Sequence, residues 1–142
     1  MKKKLLFLSM LFVCFVISGC NNSNTNITMT IKENTLTRNG MTVVITDTSS
    51  NKNVFSAWFR LDKKIDNTWQ ELDAVNDNCI FNDIAYYTDE TNKLEMEQDT
   101  SCMYGELDTG EYRLIKYTLP KDKIGNIIEK DKTYFNVEFK ID

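Results

Sequence analysis

The sequence predicts an all-β fold, an antiparallel sandwich of about seven strands. The first observation is alternation of apolar and polar residues with a period of two, clearest in Phe135, Val137, Phe139 and Ile141. Turn-forming residues separate such segments at short intervals, and no segment shows the apolar spacing of an amphipathic helix. The single proline, Pro120, falls where a predicted strand ends. Two packed sheets account for all of these observations.

Taken in order, the strands are expected near residues 27–31, 41–45, 55–62, 69–72, 79–87, 93–97, 111–119 and 135–141. A hairpin is predicted between the third and fourth, because Asp66-Asn67 supplies residues that tolerate a left-handed backbone. The period of two directs Phe59 and Leu61 inward and places Trp58 and Arg60 on the opposite face. Residues 100–105 are expected to form one helical turn.

Residues 107–114 predict a tight corner that leads into a buried strand. Asp108 and Gly110 supply the turn, and Tyr112 begins the strand. Asp-x-Gly-x-Tyr at such a place resembles the tyrosine corner of immunoglobulin-like sandwiches, whose buried ring bonds through its hydroxyl to upstream backbone. Leu114 stands where antibody domains carry the second cysteine of their intersheet disulfide. We therefore expect Asp108, Gly110 and Tyr112 to be structural.

The segment MYGELDTGEYRLIK at residues 103–116, with AWFRLDKK at 57–64 and FNDIAY at 81–86, resembles a bacterial immunoglobulin-like domain family. The resemblance extends over roughly residues 31–141. It implies an immunoglobulin-like domain at residues 27–142, in a family that includes small lipoproteins and extracytoplasmic modules. It carries no defined catalytic residues.

Residues 1–19 predict a lipoprotein signal peptide. Three lysines precede an apolar run at residues 5–17, and Ile17-Ser-Gly-Cys20 resembles a bacterial lipobox. The resemblance implies cleavage before Cys20, a diacylglycerol on its thiol and further acylation. The alternatives are an ordinary secretory signal with a coincidental cysteine, or an uncleaved anchor. Residues 20–26 would then comprise the lipidated cysteine and a polar tether that reaches about 13 Å. The expected location is the cell membrane, lipid-anchored on its extracytoplasmic face.

Charge and residue types narrow the possible functions. Three of the 17 basic residues and none of the 21 acidic ones lie in residues 1–19, so the remainder has a net charge of −7. An acidic chain gains nothing from phosphate backbones, which argues against nucleic acid and leaves the lipid anchor as the contact with the membrane. The chain has no histidine, which removes Ser-His and Cys-His nucleophilic systems. We expect no enzyme activity and no cofactor.

The remaining cysteines, Cys79 and Cys102, are disulfide candidates, because exported domains commonly carry such bonds. The alternative is two buried free thiols. An acid-rich stretch from residue 70 to 111 contains Asp73, Asp77 and Asp83, which are candidate calcium ligands. The alternative for these three is a solvated surface whose Asn and Asp residues form turns.

Aromatic residues supply the other candidate site. We predict a contact surface formed by Trp58, Arg60 and Trp69, with Trp58 the most exposed ring, since Trp, Tyr and Arg anchor many interfaces. The alternative is that the rings pair across strands. The sequence thus favours a non-catalytic module that binds a protein or cell-wall partner. The alternatives are a calcium- or small-ligand-binding lipoprotein and a passive structural protein of the envelope.

Overall fold

The structure of the chain is a computed structural model that describes residues 26–50 and 52–142. The predicted signal peptide, Cys20 and all of the predicted tether except Asn26 lie outside the described residues. Their assignment therefore remains a prediction from the sequence. Among the described residues, no helix is long and apolar enough to cross a membrane.

Ten elements follow one another along the described chain, and all but two are strands. They are β1 (Ile27–Ile31), β2 (Gly40–Asp47), β3 (Val54–Phe55), β4 (Arg60–Ile65), β5 (Thr68–Glu71), β6 (Lys93–Asp99), α1 (Ser101–Tyr104), β7 (Gly110–Leu119), a 3-10 turn (Glu129–Asp131) and β8 (Thr133–Ile141). The helical turn expected within residues 100–105 is present as α1.

The strands form two antiparallel sheets. One has the order β1-β2-β6, and the other has β8, β7, β4 and β5 as neighbours, with β3 paired to the far end of β7. Because β3 and β4 both pair with the same edge of β7, they share one position in their sheet. The eight described strands therefore occupy seven positions in the two sheets. The predicted immunoglobulin-like antiparallel sandwich is confirmed. Its order matches the A-B-E and G-F-C-C′ sheets of such domains.

The core lies between the sheets and is built from alternate residues of each strand. Val43, Ile45, Leu61 and Leu114 are completely buried, while their neighbours in sequence point to the two outer faces. Burial of each such side chain contributes about 1.5–3 kcal/mol. A shift of register by one residue would move these groups into water, so the alternation fixes the strand pairing.

The predicted hairpin is present between β4 and β5. Asp66 and Asn67 both have positive φ, 49° and 61°, as a two-residue turn with the correct twist requires. The pairs from Asp62↔Glu71 to Ile65↔Thr68 place Lys64 opposite Trp69. The turn residues named from the sequence therefore fix which β5 side chains share a face with β4.

The strand expected at residues 79–87 is absent, and that prediction was wrong. Residues 73–87 instead form an irregular strap in which Ile80 is 92% and Ile84 56% exposed. Phe81 and Tyr86 pack against the core, while most other side chains of the strap face water. The strap is held by a backbone pair between Phe55 and Tyr86, with N–O distances of 3.0 and 2.9 Å. The Val75 N–H also donates to the Met103 oxygen (2.8 Å), and the disulfide adds a covalent attachment.

The sandwich has two distinct ends. At the N-terminal end lie Asn26, the β2–β3 connection and the β7–β8 loop (residues 120–132). At the corner end lie the β4–β5 turn, α1 and the last residue, where Arg38 donates to the backbone oxygens of Leu107 (2.9 Å) and Asp142 (2.6 Å). Loops at the two ends are thus separated by the length of the strands.

Candidate functional site

The tyrosine corner sets the orientation of β7. The Tyr112 hydroxyl donates to the backbone oxygen of Asp108 (2.9 Å), and the ring, only 1% exposed, stacks on Phe139 at 5.6 Å between centroids. Because Tyr112 points inward, even-numbered residues of β7 enter the core and odd-numbered ones face outward. The outward set includes Arg113, Ile115 and Tyr117, which form the centre of the outer face of this sheet.

Three aromatic rings meet at one end of this outer face. Trp58 lies 5.2 Å from Tyr117 and 6.2 Å from Tyr134, and the two tyrosines are 6.1 Å apart. The expectation that Trp58 is the most exposed ring was wrong, because its two neighbours cover part of it. Tyr134 is the open member, with 58% of its surface exposed. The rings pair across strands and also remain accessible. The cluster therefore combines the cross-strand pairing and the exposed contact surface that the sequence predicted as alternatives.

Next to the rings, two arginines hold one buried carboxylate. Asp62 is 2% exposed, with Arg60 Nε at 3.0 Å from Oδ1 and the Arg113 Nη2 at 2.6 Å from Oδ2. Arg60 also reaches Glu71 at 3.1 Å. Removal of the carboxylate would leave two guanidinium groups without their buried partner, which is costly. Asp62 therefore fixes the positions of both arginines.

Trp69, on β5, completes the predicted trio. The Cζ of Arg113 lies 5.0 Å from the centroid of its ring, within cation–π range. Beside it, Lys64 donates to the Glu111 carboxylate at 2.7 Å, a hydrogen bond that lowers the pKa of Glu111 and raises that of Lys64. Trp58, Arg60 and Trp69 thus lie on one face, and Arg113 links the two ends of that face.

A shallow depression of about 280 Å³ lies between the aromatic and charged groups. Its lining includes Arg60, Arg113, Ile115 and Tyr134. Ile115, 7% exposed, lies in the lining together with Phe135 and Asn136, so the hollow has both apolar and polar walls. Sequence reasoning missed Ile115 and Arg113, although the inward assignment of Tyr112 already directs both of them outward.

The outer face of the other sheet differs in kind. Apart from Val44 and Lys93, its side chains are mainly small hydroxyl groups and acids, among them Thr28, Thr30, Thr42, Thr46, Glu95 and Glu97. The face contains no aromatic ring within the described strands. The two faces of one small domain therefore offer very different contacts, and only that of the β8-β7-β4-β5 sheet combines aromatics with arginines.

Behind Trp58, an inward-facing lysine fills the break between β3 and β4. Lys116 is 0% exposed, and its amine donates to the backbone oxygens of Trp58 (2.9 Å) and Ala57 (3.3 Å) and to Gln98 Oε1 (3.1 Å). Burial lowers the pKa of this amine from 10.5 to about 7. The two carbonyls have left the β ladder at the break, so the lysine satisfies them and fixes the backbone that carries Trp58.

The remaining candidates lie away from this face. Cys79 and Cys102 are joined by a disulfide with an S–S distance of 2.09 Å, which ties the strap to α1. Asp73, Asp77 and Asp83 are all exposed, and no three His, Cys, Asp or Glu side chains among the described residues are arranged to hold a metal ion. The structure does not bring the three aspartates together into a calcium site.

Comparison with known proteins identifies the family. A model of the bacterial Ig-like domain matches residues 23–139, which is most of the chain. Searches of curated proteins and of solved structures returned no significant match. Ig-like domains of this kind are generally non-catalytic, in keeping with the absence of histidine from the sequence. The two sheets, their strand order and the tyrosine corner agree with this match, and the chain belongs to the bacterial Ig-like domain family.

Proposed function

We propose that the protein is a lipid-anchored module on the extracytoplasmic face of the cell membrane that binds a protein partner. The binding surface is the outer face of the β8-β7-β4-β5 sheet. The observation that carries the proposal is the accessible cluster of Trp58, Tyr117 and Tyr134 beside Arg60 and Arg113. Trp, Tyr and Arg are the residue types enriched among those that dominate binding energy at protein interfaces.

The geometry of this face favours tight recognition at low entropic cost. Asp62 holds both arginines, and Arg113 packs over Trp69. Side chains that are already ordered lose little conformational freedom when a partner binds. The hollow above Ile115 can accept an apolar side chain, while the arginines that border it can meet a carboxylate or a backbone oxygen.

The anchoring part of the proposal rests on the lipobox resemblance at Cys20. More than one acyl chain makes membrane attachment stable, where one alone is marginal. A tether of six residues keeps the domain close to the bilayer, which favours a partner in the membrane or next to it over one beyond the cell wall. A protein partner of the cell envelope is therefore the occupant we propose for the aromatic face.

Partner capture in living cells tests the binding function. The native protein is cross-linked in intact cells and its partners are identified by mass spectrometry, alongside the variant Tyr134→Ala. We expect one recurrent protein that is lost or strongly reduced in the variant. Tyr134 is 58% exposed, so its truncation removes contact surface without opening the core.

Thr30→Ala is the matched control, because Thr30 is exposed on the outer face of the other sheet. Capture should be unchanged in this variant. Equal capture by the wild type and Tyr134→Ala, or capture of wall fragments alone, would contradict the proposal. The latter outcome would favour a small-ligand or passive structural role.

A further inference from the structure

The position at which the described chain begins determines which loops lie nearest to an anchor at Cys20. The backbone N–H of Thr48 donates to the oxygen of Asn26 (2.8 Å), so the start of β1 and the end of β2 lie side by side. A short connection leads to Val54, which pairs with Leu119 at the end of β7. The β7–β8 loop begins at the next residue. A bilayer that held the proposed anchor would therefore lie nearer to this loop than to the tyrosine corner.

The tip of the β7–β8 loop is an ordered turn with an apolar side chain at its apex. The Asp122 carboxylate accepts hydrogen bonds from the N–H groups of Ile124 (3.0 Å) and Asn126 (2.8 Å), and the Asp122 N–H donates to the Asn126 oxygen (2.8 Å). This network holds Ile124 85% exposed, and Ile127 is 43% exposed. The apex thus presents Ile124 to solvent, whereas Ile127 is partly covered where it lines a hollow with Leu119 and Ile84.

The residues around the tip are of the types that proteins commonly place at the headgroup region of a bilayer. Tyr87 is 46% exposed, and the Lys121 amine lies 4.1 Å from the centroid of its ring. Residues 121–132 contain four lysines and three acids, a net charge of +1 in a chain that is otherwise strongly acidic. Tyrosine rings and lysines are common where a protein meets lipid headgroups, and exposed isoleucines beside them can enter the acyl boundary.

We propose that the β7–β8 loop contacts the bilayer to which the chain is anchored, with Ile124 and Ile127 inserted at the level of the headgroups. This inference rests on the lipid anchoring stated under Proposed function. Two isoleucines bury too little surface to bind a bilayer from solution. Attachment at Cys20 makes the same contact intramolecular, and its effective concentration is then high enough for a weak interaction to persist. The loop contact would fix the orientation of the domain relative to the membrane.

Photo-cross-linking to lipid tests the contact. Residues 20–142 are prepared without acylation and with the disulfide formed, so Cys20 provides the free thiol. This thiol is coupled to a maleimide phospholipid in vesicles of phosphatidylcholine and phosphatidylglycerol. A photo-reactive diazirine amino acid replaces Ile124 or, as the matched control, Ile80, which is 92% exposed on the strap. We expect a phospholipid adduct on the peptide that contains position 124 and none above background at position 80.

Equal lipid labelling at the two positions, or labelling at neither, would overturn the inference. Cross-links from position 124 to another copy of the protein in place of lipid would also overturn it. The intact mass of the protein purified from its own membranes decides separately whether Cys20 is acylated. The intact mass thus tests the lipid anchor, and the photo-cross-linking tests the loop contact. The two tests are independent, because the chemical coupling supplies an anchor whether or not Cys20 is acylated in cells.

Discussion

The buried amine of Lys116 should make the fold more stable as the pH rises from 7 to 9. Its ammonium has three neutral acceptors, the oxygens of Ala57, Trp58 and Gln98. Burial is the cause that lowers its pKa from 10.5 to about 7 in the folded protein. In the unfolded chain the amine returns to water and regains its ordinary pKa.

The direction of this pH dependence follows from the number of protons bound in the folded and unfolded states. Between pH 7 and pH 10.5 the unfolded chain holds a proton on this amine that the folded protein has largely released. Stability rises with pH wherever the unfolded state binds more protons, with a limiting slope of about 1.4 kcal/mol per pH unit for one group. From pH 7 to pH 9 the expected gain in the free energy of unfolding is about 2 kcal/mol. The raised pKa of Tyr104, caused first by burial, acts in the opposite direction as the pH approaches and exceeds 10.

Urea denaturation of residues 20–142 at pH 7, 8 and 9, with the disulfide intact, measures this gain. The matched variant is Lys116→Met, which keeps the length of the side chain but cannot titrate, so its stability should stay flat across the same range. Two results would refute the reasoning: a wild type whose unfolding free energy does not increase, or a Met variant with the same slope. Comparison of slopes also removes any constant effect of the substitution on packing.

Three further predictions concern single structural features. Tyr112→Phe removes the hydroxyl bond of the corner and should lower stability by about 1 kcal/mol in urea denaturation; a neutral effect would show that the ring alone holds the corner. The double variant Cys79→Ser/Cys102→Ser opens a loop with a sequence separation of 23 and should cost about 3 kcal/mol on the chain-entropy model. Its strap should also exchange amide hydrogens faster, and unchanged exchange would contradict the role given to the bond. Gly40→Ala should lower the melting temperature sharply or prevent folding, because a Cβ at Gly40 would lie 2.3 Å from a backbone oxygen of β6 and its φ is +156°; a wild-type melting temperature would contradict this.

Local chemistry in the sequence predicted the parts of the fold that depend on neighbours along the chain. The corner at Tyr112, the turn at Asp66-Asn67 and the alternation that ends at Ile141 each follow from a few adjacent residues. The strap could not be predicted in the same way. Cys79, Ile80 and Phe81 form a short apolar run that is compatible with a strand, but whether a partner strand is available depends on where the other strands lie.

The candidate binding face also has features that the sequence predicted and features that it could not predict. The outward direction of Trp58 and Arg60 followed from the period of two, and Trp69 joined them because the hairpin register places it opposite Lys64. The half-burial of Trp58 depends on Tyr117 and Tyr134, which arrive from β7 and β8 much later in the chain. Contacts between distant strands leave no local pattern in the sequence. A single sequence can therefore predict which way a side chain points, but not which residues it contacts.

The separation of the two ends has a consequence for how a partner would approach. The strands run from the N-terminal end to the corner end. Under the proposed anchoring and loop contact, the domain would stand upright on the membrane and its aromatic face would point sideways, along the membrane plane. Such a face meets molecules that diffuse in two dimensions beside it more readily than molecules that descend from above. The last residue, Asp142, meanwhile lies at the opposite end, where Arg38 holds it. The protein would thus bind its partner from the side. The length of the domain would determine how far above the membrane the partner must present its complementary surface.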